Sequence, residues 1–312
     1  MKIQIPIASP DYTDLERKYL LEAYDSGWIS SKGPFIERFE EAFAKWFGVN
    51  YAITCCNGTV ALHLALLAIG IKKGEKVYVT PDSYPACKNS ILHMGAIPSY
   101  YHESRGIVVH NYGYISSALY PYYIEDCSEA IGSRFSERFN GRLAGTFGVI
   151  STFSFYGNKT ITTGEGGMIC TNNPEYAHKI RHLKNQCMIE PYIHDGIGYN
   201  YRMTNLQAAL GLAQIERIEE LLDKKRNITK IYKKNLKVNF ITPEEFTGSN
   251  PVIWMNVFKV DNQVRFRKYM ETNGIETRPG FNPAQNLVML PSGTTLTEDE
   301  VLEVCKIANA YS

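Results

Sequence analysis

Long apolar runs are missing from this sequence of 312 residues. No stretch is long enough to span a bilayer, and the opening MKIQIPIASPDYTDLE reaches Asp11 and Asp14 before any hydrophobic block forms, so neither an anchor nor a signal peptide is expected. An excess of one charge is missing too. With 33 Lys and Arg against 32 Asp and Glu, the net charge of +1 argues against a nucleic-acid or membrane-binding surface. Cysteine occurs seven times, an odd number without Cys-x-x-Cys spacing, which speaks against a disulfide framework or a metal site and for a reduced, cytoplasmic chain. Repeats, low-complexity segments and disordered linkers are absent as well.

What is present alternates. In PFIERFEEAFAKWFG, Phe35, Phe39, Phe43 and Trp46 recur at helical spacing and Gly48 supplies the stop. NGTVALHLALLAIG reads as a turn feeding an apolar helix, and KVYVT as a strand ending at Pro81. IPSYY, GIVVHN, YYIED, GVISTFSF and GGMICT continue as short β-rich runs between helical or irregular pieces, the pattern of an α/β domain with a mostly parallel sheet. From Thr204 to about Leu236 the pattern predicts one long helix with a threonine cap and a basic last turn. It bridges to a smaller α+β part: a strand VIWMNVFKV, a helix VRFRKYMETNG closed by Gly274, and a last helix opened by a capping box from Thr297 to Glu300. The expected domains are residues 1–235 and 236–312.

Chemistry is suggested by four stretches together. Lys159 lies in FSFYGNKTITTGEGGM, where a β-run gives way to a glycine-rich turn able to approach a ligand closely. Asn57, Gly58 and Thr59 stand at the mouth of the apolar helix, a point suited to a phosphate. Glu125 and Asp126 end a buried strand, with Glu129 one helical step on, and acids at the carboxyl end of a parallel strand face the ligand crevice. Asn200 and Arg202 precede the long helix in GYNYRMTN. Taken singly, each has an ordinary reading: a solvated lysine, a turn, a helix-capping Asp126, polar surface residues. Jointly they describe a site for a phosphorylated pyridine aldehyde, in which a lysine forms a Schiff base, a carboxylate keeps the ring nitrogen protonated, and a helix N-terminus takes the phosphate. Tyr84, just after a strand, is the candidate for stacking on the ring; core packing is its alternative role.

The ordered motifs SGWISSKGPFIERFEEAFAKWFGV, NGTVALHLAL, IEDCSEAIG, FSFYGNKTITTGEGGM, GYNYRMTNLQAALGLAQIE, GIETRP and LPSGTTLTEDEV resemble the DegT/DnrJ/StrS family of pyridoxal-phosphate-dependent sugar aminotransferases, a branch of the aspartate-aminotransferase-like fold type I. The resemblance implies Lys159 as the Schiff-base lysine, Asp126 as partner of the pyridine nitrogen and Tyr84 as the stacking ring. It puts Glu129 near the ring hydroxyl and Gly58, Thr59 and Ser154 around the phosphate. Asn200 would reach the phosphate in the partner subunit's site, which implies a homodimer with shared active sites. Trp28 and Gln285 would touch substrate. The chemistry implied uses pyridoxal 5'-phosphate, with pyridoxamine 5'-phosphate as intermediate, to carry the amino group of L-glutamate to a nucleotide-linked keto sugar. Asn158, Glu129 and GYNYRMTN look most like the perosamine-synthase branch, which acts on a 4-keto-6-deoxy sugar. Alternatives are another keto sugar, a cyclitol ketone, or a non-catalytic cofactor-binding regulator. A nucleotide-binding protein read from TTGEGG lacks any P-loop or GxGxxG fingerprint. Dehydratases of the wider family carry histidine at the lysine position, and Lys159 argues against that activity. Two departures stand out. The family is several tens of residues longer, with segments missing here between IPSYY and GIVVHN and around Gln285 to Val288, and NPAQ replaces YPLH, so Gln285 stands where a substrate-facing histidine is expected.

Overall fold

The computed structural model describes residues 3–118, 120–237 and 249–311. Its centre is a seven-stranded sheet of β1 (Tyr51–Cys55), β2 (Lys76–Val79), β3 (Ile97–Ser99), β4 (Gly106–Val109), β5 (Ile124–Asp126), β6 (Ile150–Ser154) and β7 (Gly167–Thr171). The spatial order is β1-β7-β6-β5-β4-β2-β3, parallel except for β7, which runs antiparallel to both β1 and β6. Side-chain alternation gives the sheet two apolar faces. On one, Ala52, Phe153 and Met168 pack against α1 (Asp14–Asp25), α2 (Pro34–Phe47) and part of the bridging region. Helix α2 turns Phe35, Phe39, Phe43 and Phe47 inward, one per turn, and ends at Gly48 with a left-handed φ of 78°. On the other face, Ile53, Val79, Ile107 and Ile124 pack against α3 (Gly58–Ala68), α4 (Pro85–His93) and α5 (Pro174–Lys184). Helix α3 is buried on nearly every side, which is why its sequence is apolar throughout instead of amphipathic.

Two connections in this parallel sheet are abnormally spare. Parallel neighbours usually need a crossover of about a dozen residues or more, most often a helix. Here edge strand β3 returns past β2 to β4 through residues 100–105 only, and β4 joins its neighbour β5 through 110–123, where the described residues hold just a 3-10 turn at Asn111–Gly113. Tyrosines stand in for the helix: Tyr78, Val108 and Tyr123 form a small buried cluster under Ala118 and Tyr120, with His102 against the ring of Tyr120. Gly106 permits it, because a Cβ there would meet Tyr78 Cβ at 2.7 Å.

A short hairpin, β8 (Met188–Glu190) and β9 (Ile193–His194), precedes the bridge. The bridge is two helices, not the one expected: α6 (Asn205–Glu216) and α7 (Ile218–Asn235) break at Arg217. The apolar pattern runs through the break, so the cause is tertiary. The Arg217 guanidinium meets Asp11 at 3.0 Å, the buried Glu16 at 2.9 Å and Glu220 at 3.0 Å, tying the N-terminal segment to the joint.

In the smaller part, β10 (Val257–Lys259), β11 (Arg278–Pro279) and β12 (Leu287–Met289) form an antiparallel sheet ordered β10-β12-β11, with α8 (Gln263–Thr272) and α9 (Glu298–Asn309). The last helix opens on the expected capping box, Thr297 with Glu300. The strand expected over VIWMNVFKV is confined to its last residues. Val252 to Asn256 are buried without joining a sheet, and the N–H groups of Val252, Trp254 and Asn256 go instead to Ser133 Oγ, Tyr112 O and Ser292 Oγ. Ile228, Ile231 and Tyr232 of α7 share a core with Phe266, Met270, Val301 and Ile5. We propose residues 236–312 as the smaller unit, with the end of α7 and the N-terminal strand-like segment docked into it.

Candidate active site

Strand alternation separates the two acids of YYIED. Asp126, the last residue of β5, faces a cavity of about 760 Å³ at the carboxyl ends of the strands. Glu125 faces the opposite side and is fully buried, a correction to the expectation that both acids look into the crevice. It accepts hydrogen bonds from Gly145 N (2.9 Å), Phe147 N (2.7 Å), Gly148 N (2.5 Å) and the His110 ring (2.9 Å). Burial alone would raise its pKa, yet these donors, His110 first, hold it below the usual carboxylate value. Glu125 is a buried brace for the 145–148 loop.

Asp126 is 5% exposed; its Oδ1 accepts from Ser128 N at 3.0 Å and its Oδ2 from the Cys87 thiol at 3.2 Å. No helix follows Asp126, so the helix-capping role expected of it gives way to a turn held at Ser128 N, while the carboxylate also faces the crevice. Cys87, buried on α4, has its thiol pKa pushed well up by burial and by Asp126, so it stays an S–H donor at neutral pH.

Asn57 caps α3, its Oδ1 accepting from Val60 N at 3.0 Å, and the first N–H groups of a helix have no partner inside it. Gly58 and Thr59 line the cavity beside Ser154, the last residue of β6. The approach is tight: a Cβ on Gly58 would lie 2.8 Å from Ser154 Cβ, and one on Gly167 2.6 Å from Asn57 O. Glycine at both positions therefore brings strand ends and helix mouth together.

Lys159 follows β6 by a turn in which its N–H reaches Tyr156 O at 2.9 Å. Its Nζ lies 3.4 Å from Glu129 Oε1 and 3.9 Å from the centre of the Trp254 ring. Glu129 is buried, its other oxygen accepting from Tyr112 N at 2.7 Å; burial raises its pKa, and Lys159 only partly offsets that. Tyr84 stands at the start of α4 without a side-chain cap, is 58% exposed and lines the cavity, its ring edge-on to Phe281 at 5.8 Å between centroids. The cavity thus gathers Lys159, Asp126, Glu129, Gly58, Thr59, Ser154 and Tyr84.

Three expected residues lie elsewhere in the chain. Asn200 is exposed, its Oδ1 accepting from Arg202 Nη2 at 2.7 Å, and is not among the residues that line the cavity. Trp28 is 55% exposed, with its carbonyl accepting from Asn205 Nδ2. Gln285 donates to Asp82 Oδ2 at 2.8 Å. Neither Trp28 nor Gln285 lines the cavity. Sequence reasoning missed Cys87, Tyr112, Trp254 and Phe281. Cys87 was within reach, one helical turn past Tyr84; Trp254 and Phe281 come from the smaller part and carry no local signal.

These donors fit pyridoxal phosphate: a buried carboxylate for a ring N–H, a helix mouth with hydroxyls where glycine leaves room for a phosphate, and an amine in the same cavity. The chain matches the profile of the DegT/DnrJ/EryC1/StrS aminotransferase family over residues 10–103 and 114–309. It is 37% identical to GDP-perosamine synthase of Vibrio cholerae across 367 aligned positions, covering 98% of this chain and 99% of that protein. That alignment exceeds the 312 residues of the chain, and the profile match pauses at the helix-free β3–β4–β4/β5 region, so the relative has segments with no counterpart here. Among solved structures, aminotransferase TlmJ from Streptoalloteichus hindustanus superposes with TM-score 0.88 at 22% identity over 98% of each chain. The Spr1654 protein of Streptococcus pneumoniae in its PLP form gives 0.86 at 19% over 99% of each, and its PMP form also matches. Fold, profile and full-length relatives agree: the chain belongs to the DegT/DnrJ/EryC1/StrS family and is a pyridoxal-phosphate-dependent aminotransferase.

Proposed function

We propose that this enzyme moves the amino group of L-glutamate onto the keto carbon of a nucleotide-linked 4-keto-6-deoxy sugar, with GDP-4-keto-6-deoxymannose as the substrate. The observation that carries the reading is the Lys159 amine beside Glu129 in the same cavity as Asp126 and the mouth of α3. The choice of sugar leans on the name of the Vibrio cholerae relative, GDP-perosamine synthase. The cofactor supplies, when bound, the electron sink that lets the α C–H bond of glutamate break. Lys159 would hold the cofactor through Nζ, and its free amine would take that proton and give it back. Asp126 would hold a proton on the ring nitrogen, and the Cys87 S–H holds Asp126 in place. Gly58, Thr59 and Ser154 would hold the phosphate through backbone N–H groups and hydroxyls, and Tyr84 would lie against the ring.

We infer further that two copies pair so that the partner's Asn200 completes each phosphate site. Support comes from the segment before it, where Ile189, Tyr192, Ile193 and Ile197 expose apolar side chains that the single chain leaves uncovered. No helix among the described residues is long and apolar enough to cross a membrane. A cytoplasmic setting suits the seven free cysteines. The test is mass spectrometry of products formed with glutamate from GDP-4-keto-6-deoxymannose, other nucleotide-linked keto sugars and a cyclitol ketone. Formation of the amino sugar and 2-oxoglutarate fastest from the GDP sugar is expected; faster amination of another ketone, or no 2-oxoglutarate at all, would overturn it.

A further inference from the structure

We propose that Trp254 is a positioning residue for Lys159, its indole face and the Glu129 carboxylate forming a two-sided seat that holds the amine whenever it is not bonded to the cofactor. The inference rests on Lys159 being the reacting amine. The Lys159 Nζ lies 3.9 Å from the ring centre and 3.4 Å from Glu129 Oε1, so aromatic face and carboxylate both attract an ammonium. The ring itself cannot swing. Its Nε1–H donates to the carbonyl of Asn158, the residue before Lys159, at 2.8 Å, and it stacks on Phe281 at 6.4 Å and 20°. Its backbone is fixed from two sides: Trp254 N donates to Tyr112 O at 2.8 Å, and Trp254 O accepts from the buried Lys225 Nζ at 2.8 Å.

Both halves of the seat hang on one residue. Tyr112 gives its N–H to Glu129 and its carbonyl to Trp254, and it does so in a left-handed conformation, φ 59° and ψ 4°, that is costly for any residue with a side chain. That strained backbone sets the distance between carboxylate and ring. A lysine on a flexible four-carbon stem would otherwise sample many positions after release. Held in the seat, Nζ stays close enough for the C–H bond of glutamate to break and an N–H bond to form without a search.

Two measurements separate positioning from mere packing. Acetic anhydride labelling of the cofactor-free protein, read by peptide mass spectrometry against the exposed Lys268, reports how well the Lys159 amine is enclosed. The deuterium isotope effect with α-deuterated glutamate in the holoenzyme reports how slow proton transfer has become. Trp254→Leu should raise Lys159 labelling about tenfold, lower kcat by a similar factor with KM for the sugar unchanged, and increase the isotope effect, while Trp254→Phe, which keeps a ring face, should restore most of each. If Trp254→Leu fails to fold, biosynthetic replacement with mono- to tetrafluorinated tryptophan decides, since fluorine weakens the ring face with little change of shape; of the other two tryptophans neither lines the cavity. A graded rise in labelling with fluorination supports the seat. Unchanged labelling and isotope effect, in the leucine variant or through the fluorine series, would overturn it. Borohydride fixation of the cofactor on Lys159 in the wild-type enzyme keeps the two ideas apart: without it the reacting-amine reading fails, and with it a flat result removes the seat alone.

Discussion

Glu125 and Asp126 are neighbours in sequence with opposite fates, because successive residues of a strand face opposite sides of the sheet. The difference is testable by a pair of amide substitutions. Asp126→Asn should fold and retain most of its cofactor, yet lose about a hundredfold or more in kcat, since the amide cannot hold a charged ring nitrogen. Glu125→Gln should do the reverse. It keeps the site but exchanges a charged acceptor of three backbone N–H groups for an amide, at about 2 kcal/mol in urea unfolding. Equal kcat losses in the two variants would contradict this division of labour. At this scale much was legible: Lys159, Asp126, Gly58, Thr59, Glu129, Ser154 and Tyr84 all fall in the cavity that their motifs suggested. The side of the strand on which Glu125 lies was also readable from alternation. Trp254 and Phe281 were not, because they enter from residues about a hundred positions away that no local pattern marks.

At the scale of elements, the break between α6 and α7 is made by Arg217, not by a glycine or proline, and so left no trace in the periodicity. Glu16 beside it is only 1% exposed. Arg217→Met should cost about 3–5 kcal/mol in urea unfolding, because it leaves that carboxylate buried without its cation; a loss below about 1 kcal/mol would show the network to be dispensable. Helix α7 carries a second buried charge-bearing group. Lys225 is enclosed, donating to Trp254 O and Ser292 O, and burial, helped by the charge of Lys159, lowers its pKa to about 7. The folded value lies below the ordinary lysine value of about 10.4, so the stability it contributes is present at high pH and is lost as pH falls toward about 7. Relative to Lys225→Met, the wild-type urea midpoint should therefore rise between pH 6 and pH 9; a constant difference would mean that Lys225 stays charged in the fold. The strand predicted over VIWMNVFKV failed for a related reason. Its apolar residues signalled burial, but the N–H partners are Ser133 and Tyr112 of the larger part and Ser292 just past β12.

For the whole molecule, alternating strand and helix grammar sufficed to read an α/β fold with a smaller α+β part, and the family match runs over residues 10–103 and 114–309. What composition could not reveal is how a parallel sheet survives two connections that hold no α-helix among the described residues. A tyrosine cluster around Tyr123 takes their place, and its members look like ordinary loop residues until the chain is folded. We propose that one working site takes Lys159 from one chain and Asn200 from the other. It is tested most directly by mixing Lys159→Ala and Asn200→Ala chains, each first shown to be poorly active alone, under conditions where subunit exchange is confirmed. Random pairing makes half the dimers mixed, and each mixed dimer has one site with both residues intact, so mixing should restore about a quarter of wild-type activity. If instead each chain completes its own site, every site keeps one lesion, and activity would remain at the level of the separate variants.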